Sequence, residues 1–422
     1  MLPPSKRGRV LVSWQAFTAT GLFCGSIACY ILREHWRGQY ISGAIPAVLL
    51  LATVFGSCES PRWLVIRGHY EKAYITLVRL RGERNVAAKE LVSIHYQIQA
   101  ERRVYLERKI EDDPSKPNLT TYNSVLPRSS YWERLRNMFI FPRVRRAAIA
   151  ASIVMLAQQL SGINILAFMA TQFYYLVRTR DNDNLGEDDR EKEEAKSFRF
   201  AIGFGLANMI FSIAAYYLVE NRDPPKRDWE DMSSSSDQNE SQPPIDVDPS
   251  MYSDKQRFRG RRFLLLTSLA AGVITLLLTS VMFKLDESKR TPLIIFFTIV
   301  FTVFYSPGAG AIPFLYCAEI FPNEGRELGM SWSTFCNFLG AGLLALAVPF
   351  GFAWGPEKLL GVFSACNAIA FVLVYFFVPG TNHTATLEDM NYVFAHKLRS
   401  HAREQKDLLF GTFGRVSKNG EK

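Results

Sequence analysis

Apolar residues along this chain fall into long blocks with charged stretches between them. A helix needs about 20 mostly apolar residues, at 1.5 Å of rise each, to cross a bilayer. Eight blocks meet that length: 10–32, 40–58, 148–177, 198–220, 263–283, 292–316, 328–350 and 358–378. Barrel strands would be half as long and would alternate apolar with polar residues. The pattern therefore predicts an all-α polytopic membrane protein with about eight transmembrane helices. Polar stretches divide it into residues 1–58 with two spans, a charged segment at 59–147, six spans within 148–378, and a tail at 379–422. Within 59–147, apolar residues recur at 63, 66, 70, 73, 74, 77 and 80, the spacing of an amphipathic helix lying at a membrane face. "QIQAERRVYLERKIEDD" predicts a second helix, and "PSKPNLTTYNSVLPRSS" after it is irregular. Residues 221–259 are rich in Pro, Ser and acids, which predicts a disordered insertion.

Charge adds an orientation. The formal net charge is +9, and a basic balance can signal nucleic acid. Here it is topological. With the N-terminus inside, eight spans also return the C-terminus inside, and 37 of the 49 Lys and Arg then lie on the cytoplasmic side. That asymmetry fits the positive-inside rule. The six cysteines, Cys24, Cys29, Cys58, Cys317, Cys336 and Cys366, fall in or beside spans without a CxxC and read as small apolar packers. The opening "MLPPSKRGRV" lacks the plan of a signal peptide. No nucleotide-binding glycine loop, metal-ligand cluster or catalytic triad stands out, so the sequence points away from an enzyme, a metal or another cofactor, and nucleic acid.

Candidate chemistry sits inside two spans. Block 148–177 contains Gln158, Gln159, Ser161, Gly162 and Asn164. Amides are costly in hydrocarbon unless they find partners. Gln158, Ser161 and Asn164 follow one another at i, i+3, so a polar stripe faces a bundle interior or a water-filled cavity. Amides and hydroxyls both donate and accept, as binding a neutral polyhydroxylated molecule requires. Interhelical hydrogen bonding is the competing reading. In "SPGAGAIP", Pro307, Gly308, Gly310 and Pro313 break a helix at membrane depth. The break reads as a gating hinge, or as a static packing kink.

Several stretches carry a resemblance: "RGRVLVSWQ" at 7–15, "ESPRWL" at 59–64, "QQLSGIN" at 158–164, "VEN" at 219–221 with "GRR" at 260–262, and "GAGAIPFLYCAEIFPNEGRELGMS" at 308–331. In these the chain resembles the sugar transporter family of the major facilitator superfamily, with the flavour of its fungal hexose and polyol members. The stretches match that family's fifth helix, the loop after its sixth, its seventh helix, the loop after its eighth, and its tenth helix. The resemblance implies a substrate site formed by Gln15, Gln158, Gln159, Asn164, Asn208, Phe314 and Asn337. It also implies a cytoplasmic charge network of Arg7, Glu59, Arg62, Glu220, Arg261, Arg262, Glu319 and Arg326 that closes an inner gate. The implied function is sugar or polyol transport by alternating access in the plasma membrane, with proton coupling left open.

The departures are specific. Cys58 stands where the family has proline, 39 residues separate Glu220 from Gly260, and the usual PETKG stretch reads "VPGTN". The chain starts at the equivalent of the fifth helix, so the expectation is a partial fold of helices 5–12. That expectation carries two more: an inactive, truncated form, and another polypeptide covering the incomplete half. A membrane sugar sensor is the alternative function, disfavoured by the short tail.

Overall fold

A computed structural model describes residues 4–112, 131–179, 186–218, 261–321 and 326–380, with 403 and 406. The expected insertion at 221–259 and nearly all of the tail lie outside the described residues. The chain divides into two compact units, one of residues 1–31 with 131–422 and one of residues 32–130.

In the first unit, α1 (Pro4–Ile31) packs along α11 (Glu187–Leu218). Their backbones meet at Gly205, where an added Cβ would sit 3.1 Å from Phe23 Cα. α7 (Tyr131–Ile140) leads into α8 (Pro142–Leu160), which Pro142 starts at its first turn. Then follow α9 (Ile163–Phe168), α10 (Ala170–Thr179), α12 (Arg261–Met282), α13 (Glu287–Tyr305), α14 (Ile312–Ile320), α15 (Arg326–Trp354) and α16 (Pro356–Phe377). α12 packs on α13 and α16, and α8 packs on α15 and α16. The core between them is apolar, with Val154, Met155, Leu269, Leu276, Leu315 and Phe363 among its buried members.

Seven helical stretches are long and apolar enough to cross a membrane among the described residues. They correspond to seven of the eight predicted spans. The eighth, 148–177, is instead α8, α9 and α10 in succession. Gly162 causes the first interruption: its φ is +87°, a left-handed conformation that suits glycine. Its close neighbours, Leu276 and Phe363, would also have to shift to admit a Cβ. The tenth-helix equivalent is interrupted as well, by a π turn at Ser306–Gly310 between α13 and α14. Proline lacks a backbone donor, so such a turn leaves backbone groups unpaired. Ser268 Oγ of α12 accepts the Ala309 N–H at 2.9 Å.

Hydroxyls elsewhere in the spans solve the same problem locally. Thr275, Thr279, Thr298, Thr302 and Ser333 each donate to the carbonyl four residues earlier in their own helix. This satisfies a polar group without any help from a neighbouring helix.

The second unit holds α2 (Trp36–Ser42), α3 (Ala44–Gly56), α4 (Pro61–Ile66), α5 (Tyr70–Arg81) and α6 (Arg84–Asp112). No residue of α2 or α3 is buried. α4, α5 and α6 close over Leu64, Val65, Ala73, Leu77, Ala87, Ile94 and Ile98. The predicted stripe holds at 73, 74 and 77 and fails at both ends: Trp63, Ile66, Tyr70 and Leu80 are exposed, and Leu64 and Val65 face inward. Gly68, at φ +82°, separates α4 from α5 and resets the helical phase. Arg81 grips Glu90 through two bonds of 2.6 and 2.7 Å, and its guanidinium holds the Glu90 carboxyl down at about 2.

Gly308 is the tightest approach in the broken helix. A Cβ there would lie 2.3 Å from Ser268 Cβ and 2.5 Å from the Leu264 carbonyl oxygen. Gly308→Ala should therefore cost roughly 1–3 kcal/mol through overpacking and lower the thermal midpoint of the detergent-purified protein. Gly342→Ala, in open space, should leave the midpoint unchanged or raise it. Equal midpoints for the two variants would contradict the packing described.

Candidate functional site

The amides of the predicted stripe bond to one another across helices. Gln158 and Gln159 end α8, Asn164 follows the break on α9, and Asn337 lies on α15. Asn164 Nδ2 donates to Gln159 Oε1. Gln159 Nε2 donates to Asn337 Oδ1 at 2.9 Å. Asn337 Nδ2 donates to Gln158 Oε1 at 2.7 Å. Gln158 Nε2 then donates to the Gly310 carbonyl at 3.0 Å, inside the π turn. Four uncharged side chains thus form one directed chain. It starts at the partly exposed Asn164 and ends on a backbone carbonyl of the broken helix. Gln158, Gln159 and Asn337 are buried.

Two further groups flank this chain. Asn208 of α11 is buried, and its Oδ1 accepts from Ser306 Oγ at 2.9 Å and Ser212 Oγ at 3.4 Å. It therefore meets the π turn at its first residue. Gln15 of α1 is also buried, and its Nε2 lies 3.1 Å from where a Cβ of Gly310 would stand. Among the described residues its amide makes no hydrogen bond. Phe314, in the first turn of α14, is partly exposed and faces Trp14 with ring centroids 5.9 Å apart. All seven predicted substrate residues therefore gather around the breaks after Leu160 and Tyr305. Of the predicted hinge residues, Pro307, Gly308 and Gly310 form the π turn and Pro313 opens α14.

The predicted charge network is assembled in part. Arg261, which opens α12, pairs with Glu319 at the end of α14, and both are mostly buried. Arg262 donates to the Tyr375 carbonyl and lies over the Tyr375 ring, 5.5 Å from its centroid. Arg326 donates to the Phe321 carbonyl at 3.4 Å. Glu59 and Arg62 belong to the other unit. Glu220 and the side chain of Arg7 lie outside the described residues.

Sequence reasoning missed Ser268, Ser306 and Asn367. Serines are ordinary in spans and nothing in the sequence marks these two. Asn367 carried the same signal as Gln158, an amide inside an apolar block. It is buried and donates to the Ser161 carbonyl at 3.1 Å.

The chain is similar to known proteins over most of its length. The family described as Sugar (and other) transporter matches residues 1–222 and 256–394. Polyol transporter 5 of Arabidopsis thaliana is 24% identical over 408 residues, covering 93% of this chain and 64% of that protein. Myo-inositol transporter 2 of Schizosaccharomyces pombe is 23% identical over 390 residues, covering 90% of this chain and 58% of that protein. The major facilitator superfamily proton:xylose symporter XylE, solved with bound 6-bromo-6-deoxy-D-glucose, matches in fold with a TM-score of 0.61 at 16% identity. That match covers 93% of this chain and 68% of XylE. The chain spans about three fifths to two thirds of the length of these proteins. Its fold is that of a polytopic major facilitator protein.

The Arg261–Glu319 pair gives a direct test of the site's framework. Arg261→Glu sets two carboxylates against each other and should destabilise the protein by roughly 1–3 kcal/mol, between the ranges for exposed and buried pairs. Adding Glu319→Arg should recover most of the loss in thermal midpoint. No recovery in the reversed pair would show that the two side chains do not act on each other.

Proposed function

The chain belongs to the sugar (and other) transporter family, and on that premise we propose that it forms the substrate-binding wall of an alternating-access carrier for a neutral sugar or polyol. One observation carries this reading: the directed chain of amides from Asn164 to the Gly310 carbonyl, lying where two helices break. Each amide in it has both a donor and an acceptor. A hydroxyl also offers both, so a polyhydroxylated guest can replace amide–amide bonds with amide–hydroxyl bonds at little net cost. Gln15 brings an amide that needs no such exchange. Phe314 and Trp14 offer apolar ring faces for the C–H side of a sugar or polyol. No charged side chain belongs to the amide chain, which favours a neutral substrate over an acid. The names of the related polyol and myo-inositol transporters agree with that class.

The broken helix supplies the moving part. Alternating access works by rocking two halves about a site between them. The π turn joins α13 to α14, and the Arg261–Glu319 pair ties α14 to the start of α12. Breaking that pair frees the end of the helix beyond the site, so we assign it to the cytoplasmic gate. The excess of Lys and Arg on one side supports cytoplasmic termini, and the family resemblance supports the plasma membrane. Among the described residues are one set of six spans, two of them broken, and two further stretches of span length, α1 and α2 with α3. The 422 residues expressed alone then bind substrate but lack most of the opposing wall needed to carry it.

Trp14 reports on the site. Titration of purified protein with sorbitol or D-xylose should change its tryptophan emission saturably, and Trp14→Phe should remove the change. Gln158→Ala and Asn337→Ala each leave buried partners unpaired, at a cost of about 1–3 kcal/mol, and should weaken binding roughly five- to a hundredfold. Cells lacking their own hexose carriers should show only background uptake when they express the 422 residues alone. Unchanged affinity in both variants would return the amides to a packing role. Saturable uptake would show that the chain rebuilds a whole carrier by itself or with a second copy.

A further inference from the structure

The bend that presents Gln158 and Gln159 is held from a helix outside the amide chain. We propose that Asn367 of α16 is a positioning residue for the site, fixing the break between α8 and α9. The inference rests on the substrate-binding reading above for its consequence, though not for its geometry.

Ending α8 at Leu160 frees carbonyls that a continuous helix would pair. Two of them find partners in a short relay. Ser161 Oγ donates to the Gln158 carbonyl at 2.7 Å. Asn367 Nδ2 donates to the Ser161 carbonyl at 3.1 Å, and to the Phe363 carbonyl of its own helix at 2.8 Å. The same junction is closed sterically. A Cβ on Gly162 would stand 3.2 Å from Leu276 Cδ1 of α12 and 3.4 Å from Phe363 Cβ of α16. A Cβ on Gly272 of α12 would stand 2.8 Å from Asn367 Oδ1. Three helices therefore meet at the bend, and two glycines let them come that close.

Asn367 is 1% exposed, and its Oδ1 is buried without a hydrogen-bond partner. An unmet acceptor at this depth is a cost. A leucine would fill the space without it. Asn367 is thus a poor choice for packing and a fitting one for holding the Ser161 carbonyl. If that carbonyl is released, the turn at Ser161–Gly162 loses its external tie. The orientation of Gln158, three residues earlier on the same relay, loosens with it.

The test compares wild type, Asn367→Leu and Gly272→Ala, each purified as the 422-residue protein. Gly272→Ala keeps the amide and pushes on its Oδ1, so it serves if Asn367→Leu does not fold. Two readouts are taken. Hydrogen–deuterium exchange without ligand should quicken roughly three- to tenfold over residues 158–169 and stay unchanged over α15. Affinity for sorbitol or D-xylose should fall by a similar factor while the thermal midpoint stays near that of wild type. A folded variant with unchanged exchange at 158–169 overturns the proposal. So does faster exchange spread evenly over all helices, which marks a packing role. If wild type binds neither sorbitol nor D-xylose, the substrate reading fails, and faster exchange confined to 158–169 still upholds the positioning role.

Discussion

A side-chain amide at membrane depth needs hydrogen-bond partners for a donor and an acceptor, and its own helix meets at most part of that need, as Asn367 with the Phe363 carbonyl shows. Hydroxyls escape this constraint by donating back to the carbonyl four residues earlier, as Thr275, Thr298 and Ser333 do. Glutamine and asparagine have a donor and an acceptor to place, and Gln158, Gln159 and Asn337 place theirs across to neighbouring elements. That need brings α8, α9, α15 and the π turn to one point. Both helix breaks lie at that point. A broken helix exposes backbone groups, and the amides have unused partners, so each defect relieves the other: Gln158 takes the Gly310 carbonyl, and Asn367 takes the Ser161 carbonyl.

This arrangement is polar yet uncharged, and it is held by bonds that can be exchanged. A packed apolar core at the same place would be more stable and would offer a guest nothing. A charged site would bind more tightly but would carry a large desolvation cost whenever it emptied. Neutral amides lie between, since they satisfy one another when no guest is present. Their mutual bonding in the structure is what interhelical glue predicts. The Gln15 amide, free of such bonds, and the partly exposed Asn164 are what a binding wall predicts in addition.

Much of the fold was legible because hydrophobic block length alone decides where a helix can cross a bilayer. The break at Ser306–Gly310 was legible from Pro307 and its flanking glycines. The break after Leu160 was not, because one Gly162 in an apolar run is ordinary and its left-handed φ is a property of the folded chain. The face of α4 was misjudged for a similar reason: Gly68 resets the helical phase, and a single stripe drawn through it takes Trp63 and Ile66 where Leu64 and Val65 are the buried pair. Gln158 and Gln159 were singled out by type and by family motif, and Asn208 and Asn337 by the family resemblance alone. Asn367 matches no motif, and its role depends on a carbonyl orphaned by a break the sequence did not disclose.

The central claim is that the amides line a water-accessible binding wall. It is tested most directly by cysteine accessibility in a background with the six native cysteines replaced. Asn164→Cys, at the open end of the chain, should react with a hydrophilic methanethiosulfonate in membranes, and sorbitol or D-xylose should slow that reaction. Asn367→Cys, on the buried side of the bend, should stay unlabelled. An inert Asn164→Cys, or labelling that neither compound slows, would contradict the claim and leave the amide chain as helix packing alone.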